Sequence, residues 1–215
     1  MTVRQRPGLC HRQYGLDYRR HRARRSRQFG EWRLIVPVTA DQLLARAEIL
    51  DVLALYCHAI DRRQWHLLGR CFHHDARFRF GAIDGSWQDF VTAARAVIDP
   101  LRMSQHRLGQ TLFAFAGNVA TTETYMTAFH RVAAEAPADA VFPGTGVDRD
   151  IVIAGRYVDR FERRHGNWRI VSRIGLTDYR QETNGTDLGL FDTPRDWRGD
   201  IGPDDPACAV VATFE

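Results

Sequence analysis

The sequence predicts an α+β domain, a curved, cone-like antiparallel sheet packed on N-terminal helices and enclosing a pocket. Apolar residues recur at helical spacing over the first part of the body, and from His106 onward the pattern changes to long runs of strand type. Two short turn signals, Ala116-Gly117-Asn118 and His165-Gly166-Asn167, fold those runs into successive hairpins. A strongly curved sheet laid against helices closes one end and leaves one open mouth.

The elements follow in order. Thr39-Ala40-Asp41-Gln42 is a capping box, with Thr39 as N-cap and Gln42 at N3. Leu43, Leu44, Ala47, Leu50, Leu53 and Ala54 then recur three and four apart, which predicts a helix to about residue 60. A shorter helix is expected over 65–72. Ala76-Arg77-Phe78-Arg79-Phe80 alternates as a strand, broken by Gly81 and Gly85. A third helix is expected over 89–101, ended near Pro100. Strands are expected over 106–115, 119–133, 150–163 and 168–180. The 134–147 connection holds Pro137, Pro143, Gly144 and Gly146 and is expected to act as a mobile lid. From about Glu182 the chain is rich in Gly, Pro and Asp. The domain boundaries are therefore drawn at 1–37 for a basic extension, 38–180 for the folded domain and 181–215 for an irregular tail.

Composition excludes several classes. The chain has 215 residues and 24.7 kDa, enough for one ordinary domain and a tail. No apolar run approaches the ~18–20 residues that span a bilayer, so no membrane role is expected. The basic N-terminus lacks the apolar stretch of a secretory leader. Cys10, Cys57, Cys71 and Cys208 lie far apart without a CxxC pair, which argues against a zinc site or a disulfide framework and for a reducing, cytoplasmic compartment.

The net charge of +4 hides an asymmetry. Residues 1–33 carry ten Arg against Asp17 and Glu31, a balance of +8, so the rest of the chain carries −4. Every basic residue is Arg and none is Lys, a sign of coding bias rather than selection for phosphate contacts. The Arg19–Arg27 run could neutralise nucleic-acid phosphates. Its composition equally describes a disordered extension, or sequence upstream of the true start codon. A disordered extension is the expectation, and nucleic acid is not an expected partner.

A set of landmarks runs through the body. Tyr56, Asp61 and Trp65 come first, then Phe72-His73-His74-Asp75-Ala76 and Ser104-Gln105-His106-Arg107-Leu108-Gly109. Glu123-Thr124-Tyr125 with His130 follows, then Gly155-Arg156-Tyr157, and Gly166-Asn167-Trp168-Arg169-Ile170 with Arg173. In order and spacing, over residues 39–180, these resemble the SnoaL-like group of the nuclear transport factor 2-like superfamily.

That resemblance implies a cone fold with a buried pocket, and no single reaction. It sets Asp61 and His106 where the eliminating enzymes of the superfamily keep an Asp–His pair. Tyr56 falls at the active-site tyrosine of bile-acid dehydratase. Arg173 is similar to the active-site arginine of that enzyme and of hexachlorocyclohexane dehydrochlorinase, and His130 lies near the second histidine of scytalone dehydratase. Phe80 and Ile60 depart from the two tyrosines of the last enzyme, as Gly155 and Tyr157 depart from its polar pair, which argues against scytalone as substrate.

Elimination beside a carbonyl needs a base near neutrality, a donor for the leaving oxygen and a partner for the developing enolate. His106 suits the base, with Asp61 fixing its tautomer. Tyr56 or His130 could donate a proton, and Arg173 could stabilise negative charge. Each has a plainer alternative: Asp61 as a cap of the second helix, His106 and His130 as satisfied core histidines, Tyr56 as packing, Arg173 as a structural ion pair. Five residues of helix separate side chains by about 140°, so Tyr56 and Asp61 share a pocket only if Asp61 ends its helix. Adjacent His73 and His74 cannot easily share an ion, so neither metal nor cofactor is expected.

Phe78, Phe80, Phe113, Met126 and Tyr157 are expected as apolar walls around a hydrophobic substrate. The expected function is a cofactor-free lyase (dehydratase) or isomerase acting on a hydrophobic cyclic small molecule. The alternative is a non-catalytic binding or partner subunit like the small subunit of ring-hydroxylating dioxygenases. Arg156, Val158 and Arg160 alternate with Gly155, Tyr157 and Asp159, so one strand face meets the pocket and the other needs cover. A homodimer or homotrimer through the outer sheet face is expected.

Overall fold

Thr39 opens helix α1 (Ala40–Asp61) with the expected capping box: its hydroxyl accepts the Gln42 N–H, and the Gln42 side chain accepts the Thr39 N–H. The protein is described by a computed structural model over residues 38–186, 192, 194, 197–202 and 204–212. The basic extension, and the expectation of disorder in it, lie outside those residues. Along α1, Ala45, Ile49, Leu53, Tyr56, Cys57 and Ile60 form the buried stripe, while Leu43, Leu44 and Leu50 stay exposed. Five of the six residues whose spacing predicted the helix, all but Leu53, thus lie on its outer face. The period was legible, but apolar residues on two faces obscured which one is buried.

The second helical segment is a 3₁₀ turn (Trp65–Leu67) running into a single turn, α2 (Leu68–Cys71). Strand β1 (Phe72–Phe80) starts four residues before the expected strand and pairs with a short strand, β2 (Ile83–Ser86), where only glycine breaks were read. Gly81, at φ +58°, makes the turn between them. Helix α3 (Trp87–Ile98) is opened by a second capping box, Ser86 with Asp89. It begins two residues before, and ends three before, the expected span.

The two hairpins are β3 (Met103–Ala116) with β4 (Val119–Val132) and β5 (Arg149–Arg164) with β6 (Asn167–Asn184). Each turn uses positive φ where its sequence allows: Gly117 at +60° in the first, His165 at +52° and Gly166 at +83° in the second. The six strands lie in the order β2-β1-β6-β5-β4-β3. All neighbours are antiparallel except β1 and β6, which run parallel. That corrects the expectation of an antiparallel sheet: the long path through α3 and the two hairpins lets β6 return beside β1 in the same direction.

The sheet bends over α1 and α3. At the bulge between Ala154 and Gly155 a side chain on Gly155 would overlap the Leu176 carbonyl, so only glycine lets β5 and β6 approach there. Gly175, in register with Phe80, has the Phe80 ring lying where a side chain would stand. The core fills the concave face, with Ile49, Leu53 and Ile60 of α1 against Phe72, Phe161 and Ile170. The 134–147 connection is tied down. The Ala134 N–H donates to Asp148, the Gly144 N–H to the Ala136 carbonyl and the Gly146 N–H to the Ala134 carbonyl, while Arg102 pairs with Asp148 and Glu135. Tail residues return to α1, where Asp205 pairs with Arg62 and the short helix α4 (Cys208–Val211) buries Val211. Among the described residues no helix is long and apolar enough to cross a membrane.

Candidate active site

Asp61 is the last residue of α1, where the chain turns through Arg62 and Arg63. That position resolves the five-residue spacing: Tyr56 faces the concave side, and the carboxylate of Asp61, freed from the helix, reaches strand β3. Its Oδ1 lies 2.7 Å from His106 Nδ1 and accepts the Ser104 hydroxyl at 2.9 Å. Its Oδ2 accepts the His106 backbone N–H at 2.6 Å. Burial pushes the Asp61 carboxyl up, but the bonds from His106 and Ser104 outweigh it and hold the group below the usual carboxylate range. Asp61 is therefore ionised at neutral pH. Neither following helical turn takes a side-chain cap from it, so the capping alternative is not realised.

Beside this pair lies a half-open cavity of about 200 Å³. Tyr56 and Ile60 of α1 form one wall, and Phe90, Ala94, Val97 and Ile98 of α3 another. Strands contribute Phe78 and Phe80 from β1, His106, Met126, Ala128 and His130 from β3 and β4, and Tyr157 from β5. Phe142 of the 134–147 connection closes one side, its ring 6.5 Å from that of His130. The surface is almost wholly apolar, broken by two imidazoles and two phenols.

The two imidazoles lie edge to face, with ring centroids 5.7 Å apart. His130 is 4% exposed and its Nδ1 is buried without a hydrogen-bond partner. Burial, with the neighbouring His106, pushes His130 down to about 4, so it is neutral at pH 7. The two phenols share a different neighbour. The Arg173 guanidinium lies 4.1 Å from the ring centroids of both Tyr56 and Tyr157. It grips Asp159 bidentately, Nε to Oδ1 at 2.7 Å and Nη2 to Oδ2 at 2.8 Å, and both side chains are fully buried. Burial opposes the Arg173 charge, but the Asp159 pair outweighs it and raises the group above its ordinary value. Burial likewise pushes Tyr56 up to about 12, against the opposing pull of Arg173, and Tyr157 well above 10.

The structure brings His106, Tyr56 and His130 to one cavity with Phe78, Phe80, Met126 and Tyr157. Asp61 stands one bond behind it. Arg173 does not reach the cavity wall, because it lies behind the two tyrosines and is neutralised by Asp159. Phe113 is not in the wall either. Seven residues along β3 from His106, roughly 20 Å at strand rise, it stacks on Phe115 beneath Arg46 of α1. His73 and His74 point to opposite faces of β1, the first bonded to the Glu162 carbonyl at 2.9 Å and the second exposed. Among the described residues no three His, Cys, Asp or Glu side chains gather as a metal site.

Sequence reasoning missed Ser104 as a partner of Asp61, Asp159 as the counter-ion of Arg173, and the whole α3 wall. The last had a signal, since Phe90, Ala94, Val97 and Ile98 recur at helical spacing on one face.

Residues 41–174 match the family model of the SnoaL-like domain, well over half of the chain. The chain belongs to the SnoaL-like family. Solved structures with this fold include a type 2 hexachlorocyclohexane dehydrochlorinase (LinA), 20% identical with a TM-score of 0.57 over 68% of this chain and 93% of that one. A Kribbella flavida protein is 20% identical, with a TM-score of 0.55 over 65% and 94% of the two chains. A scytalone dehydratase-like protein from Novosphingobium aromaticivorans is 16% identical, with a TM-score of 0.54 over 67% and 91%. At these identities the likeness establishes the fold. No curated protein matches the sequence. In this SnoaL-like domain the roles of the cavity residues follow from their own chemistry.

Proposed function

We propose that the protein is a cofactor-free lyase of dehydratase type, or an isomerase, acting on a hydrophobic cyclic small molecule. One observation carries the proposal: Asp61 occupies Nδ1 of His106 at 2.7 Å, which leaves Nε2 as the ring nitrogen available to a ligand in an otherwise apolar cavity. Asp61 then fixes the tautomer with the proton on Nδ1 and stabilises the imidazolium formed when Nε2 takes a proton from carbon. Neutral His130 offers no like charge to oppose that step. Tyr56, protonated at neutral pH, donates to the carbonyl or leaving oxygen. Arg173 acts from behind, as a positioning residue for Tyr56 and Tyr157. The fold shared with a dehydrochlorinase and a scytalone dehydratase-like protein supports an elimination chemistry.

On a substrate found by screening cyclic hydroxy-ketones, His106→Ala is expected to lose about 10²–10⁴-fold in turnover. Asp61→Asn loses a similar order, and the double variant is little worse than either alone, because the pair acts as a unit. Full activity in His106→Ala overturns the proposal and favours a non-catalytic binding subunit.

The free Cys57, Cys71 and Cys208 fit a reducing, cytoplasmic setting. Self-association through the outer sheet face is part of the same proposal. Tyr125, Arg156 and Leu176 stand in one row across β4, β5 and β6, with Tyr125 and Leu176 exposed. A monomer by sedimentation at micromolar concentration would contradict it.

A further inference from the structure

The cavity's size and the disposition of every charge around it carry a statement about what fits inside. A dry protein cavity of about 150 Å³ lined by aliphatic and aromatic side chains takes up benzene. The cavity beside His106 is larger, at about 200 Å³, by enough for a substituent of acetyl size on a single ring and too little for that substituent and a second fused ring together.

Among the described residues no Asp, Glu, Lys or Arg side chain lines that space. Arg173 is wholly buried behind Tyr56 and Tyr157, with its Nε and Nη2 on Asp159, and Arg180, 5.3 Å from the outer Phe142 ring, is half-exposed and paired with Glu182. On the opposite wall His106 is already bonded to the Asp61 carboxylate, so an anion lodged there would meet a second negative charge across one imidazole ring. His130 is kept neutral by burial and by His106. The groups left for a ligand are two phenols and two imidazoles, which can donate or accept single hydrogen bonds but cannot balance a carboxylate or phosphate.

We propose, on the basis of the function set out above, that the cavity selects an uncharged molecule built on one six-membered ring with a carbonyl or hydroxyl oxygen, and that Asp159 enforces the selection by neutralising Arg173. Asp159 is thereby a specificity-determining residue, although it touches no ligand. Tyr157, beside Tyr56 over the same guanidinium, supplies the second phenol at the oxygen-binding end.

Three probes separate charge from size: acetophenone, its near-isosteric anion benzoate, and 2-acetylnaphthalene, which carries the same ketone on two rings. Binding to the full chain at pH 7 is read by calorimetry, without turnover. Acetophenone is expected to bind about tenfold or more tighter than benzoate and about tenfold or more tighter than the two-ring ketone. In Asp159→Asn the gap between acetophenone and benzoate narrows, because Arg173 keeps its charge without its counter-ion. Equal or tighter binding of benzoate to the wild-type chain, tighter binding of the two-ring ketone, or no binding of acetophenone at millimolar concentration each overturns the proposal. The wild-type series decides the selection by charge and size, and an unchanged gap in folded Asp159→Asn overturns the part assigned to Asp159. Failure here leaves the His106 and Asp61 test untouched, and loss of the catalytic reading leaves the probe series standing.

Discussion

Two aspartates on the concave side of the molecule are each buried against a basic partner, and the two pairs differ in what they leave unfinished. Asp159 and Arg173 close on one another: two hydrogen bonds, no exposed side-chain surface, and aromatic rings over the guanidinium. Asp61 and His106 are bonded just as closely, but the imidazole keeps its second nitrogen for the cavity wall. A bidentate ion pair with no atom on the cavity wall is architecture, even with Nη1 of Arg173 left without a hydrogen-bond partner. In the proposed function, an aspartate–histidine pair with one ring nitrogen left over serves as the base. The same concave face therefore holds one charge pair behind Tyr56 and Tyr157 and one whose imidazole shares a cavity with them.

The sharpest way to break that contrast is through stability. Asp159→Asn leaves an uncompensated guanidinium in the core and is expected to cost about 3–5 kcal/mol, the usual penalty for removing one partner of a buried pair. Asp61→Asn costs less, about 1–2 kcal/mol, because His106 can stay neutral when its partner is lost. Urea denaturation of both variants gives the comparison. Equal losses would mean that the two pairs do the same structural work.

The second effect lies in pH. His130 has a folded value of about 4 against an ordinary value near 6.5, so between those limits the unfolded chain binds the extra proton and the folded chain does not. Stability therefore falls as pH drops from about 6.5 to about 4, by about 3 kcal/mol for a shift of this size. Asp61, with its folded value depressed, contributes stability above the ordinary carboxylate value, and that contribution is lost only as pH falls further, through its folded value. His130→Gln is expected to flatten the upper window and leave the lower one. Denaturant midpoints at a series of pH values read both. An unchanged slope between pH 4 and 6.5 in His130→Gln would show that the burial of this imidazole is not what destabilises the acid form.

The pH contrast also shows how far the sequence could be read. The capping box at Thr39, the two hairpin turns and the helix-then-sheet order are local signals, and the fold rests on them. His106, Asp61 and Tyr56 were legible because the family landmarks stand at fixed spacing along the chain. Asp159 and Ser104 were not, since their importance comes from partners 14 and 43 residues away that only the folded sheet brings near. Arg173 shows the same limit from the other side: its identity stands in the sequence, but which side of Tyr56 it occupies does not. The strand β2 and the parallel pairing of β1 with β6 were missed because four residues that include Gly85 carry too little pattern, and parallel contact leaves no turn to read.

The smallest effect is expected at Ser104, and it separates orientation from mere burial. Its hydroxyl donates to Oδ1 of Asp61, the same oxygen that faces His106 Nδ1, while Oδ2 keeps the His106 backbone N–H. Ser104→Ala removes one of three bonds to a carboxylate that stays paired, so the loss of stability is expected to be about 1 kcal/mol. The group it acts on then rises toward the ordinary carboxylate range, and the acid limb of the stability curve moves to higher pH. Turnover on an identified substrate should fall by only about three- to tenfold, far less than in His106→Ala, because the tautomer is still fixed through Nδ1. A hydroxyl that merely filled space would change stability without moving the acid limb. An unmoved limb in Ser104→Ala would therefore remove Ser104 from the unit that holds Asp61, and leave the His106 ring and backbone as its working partners.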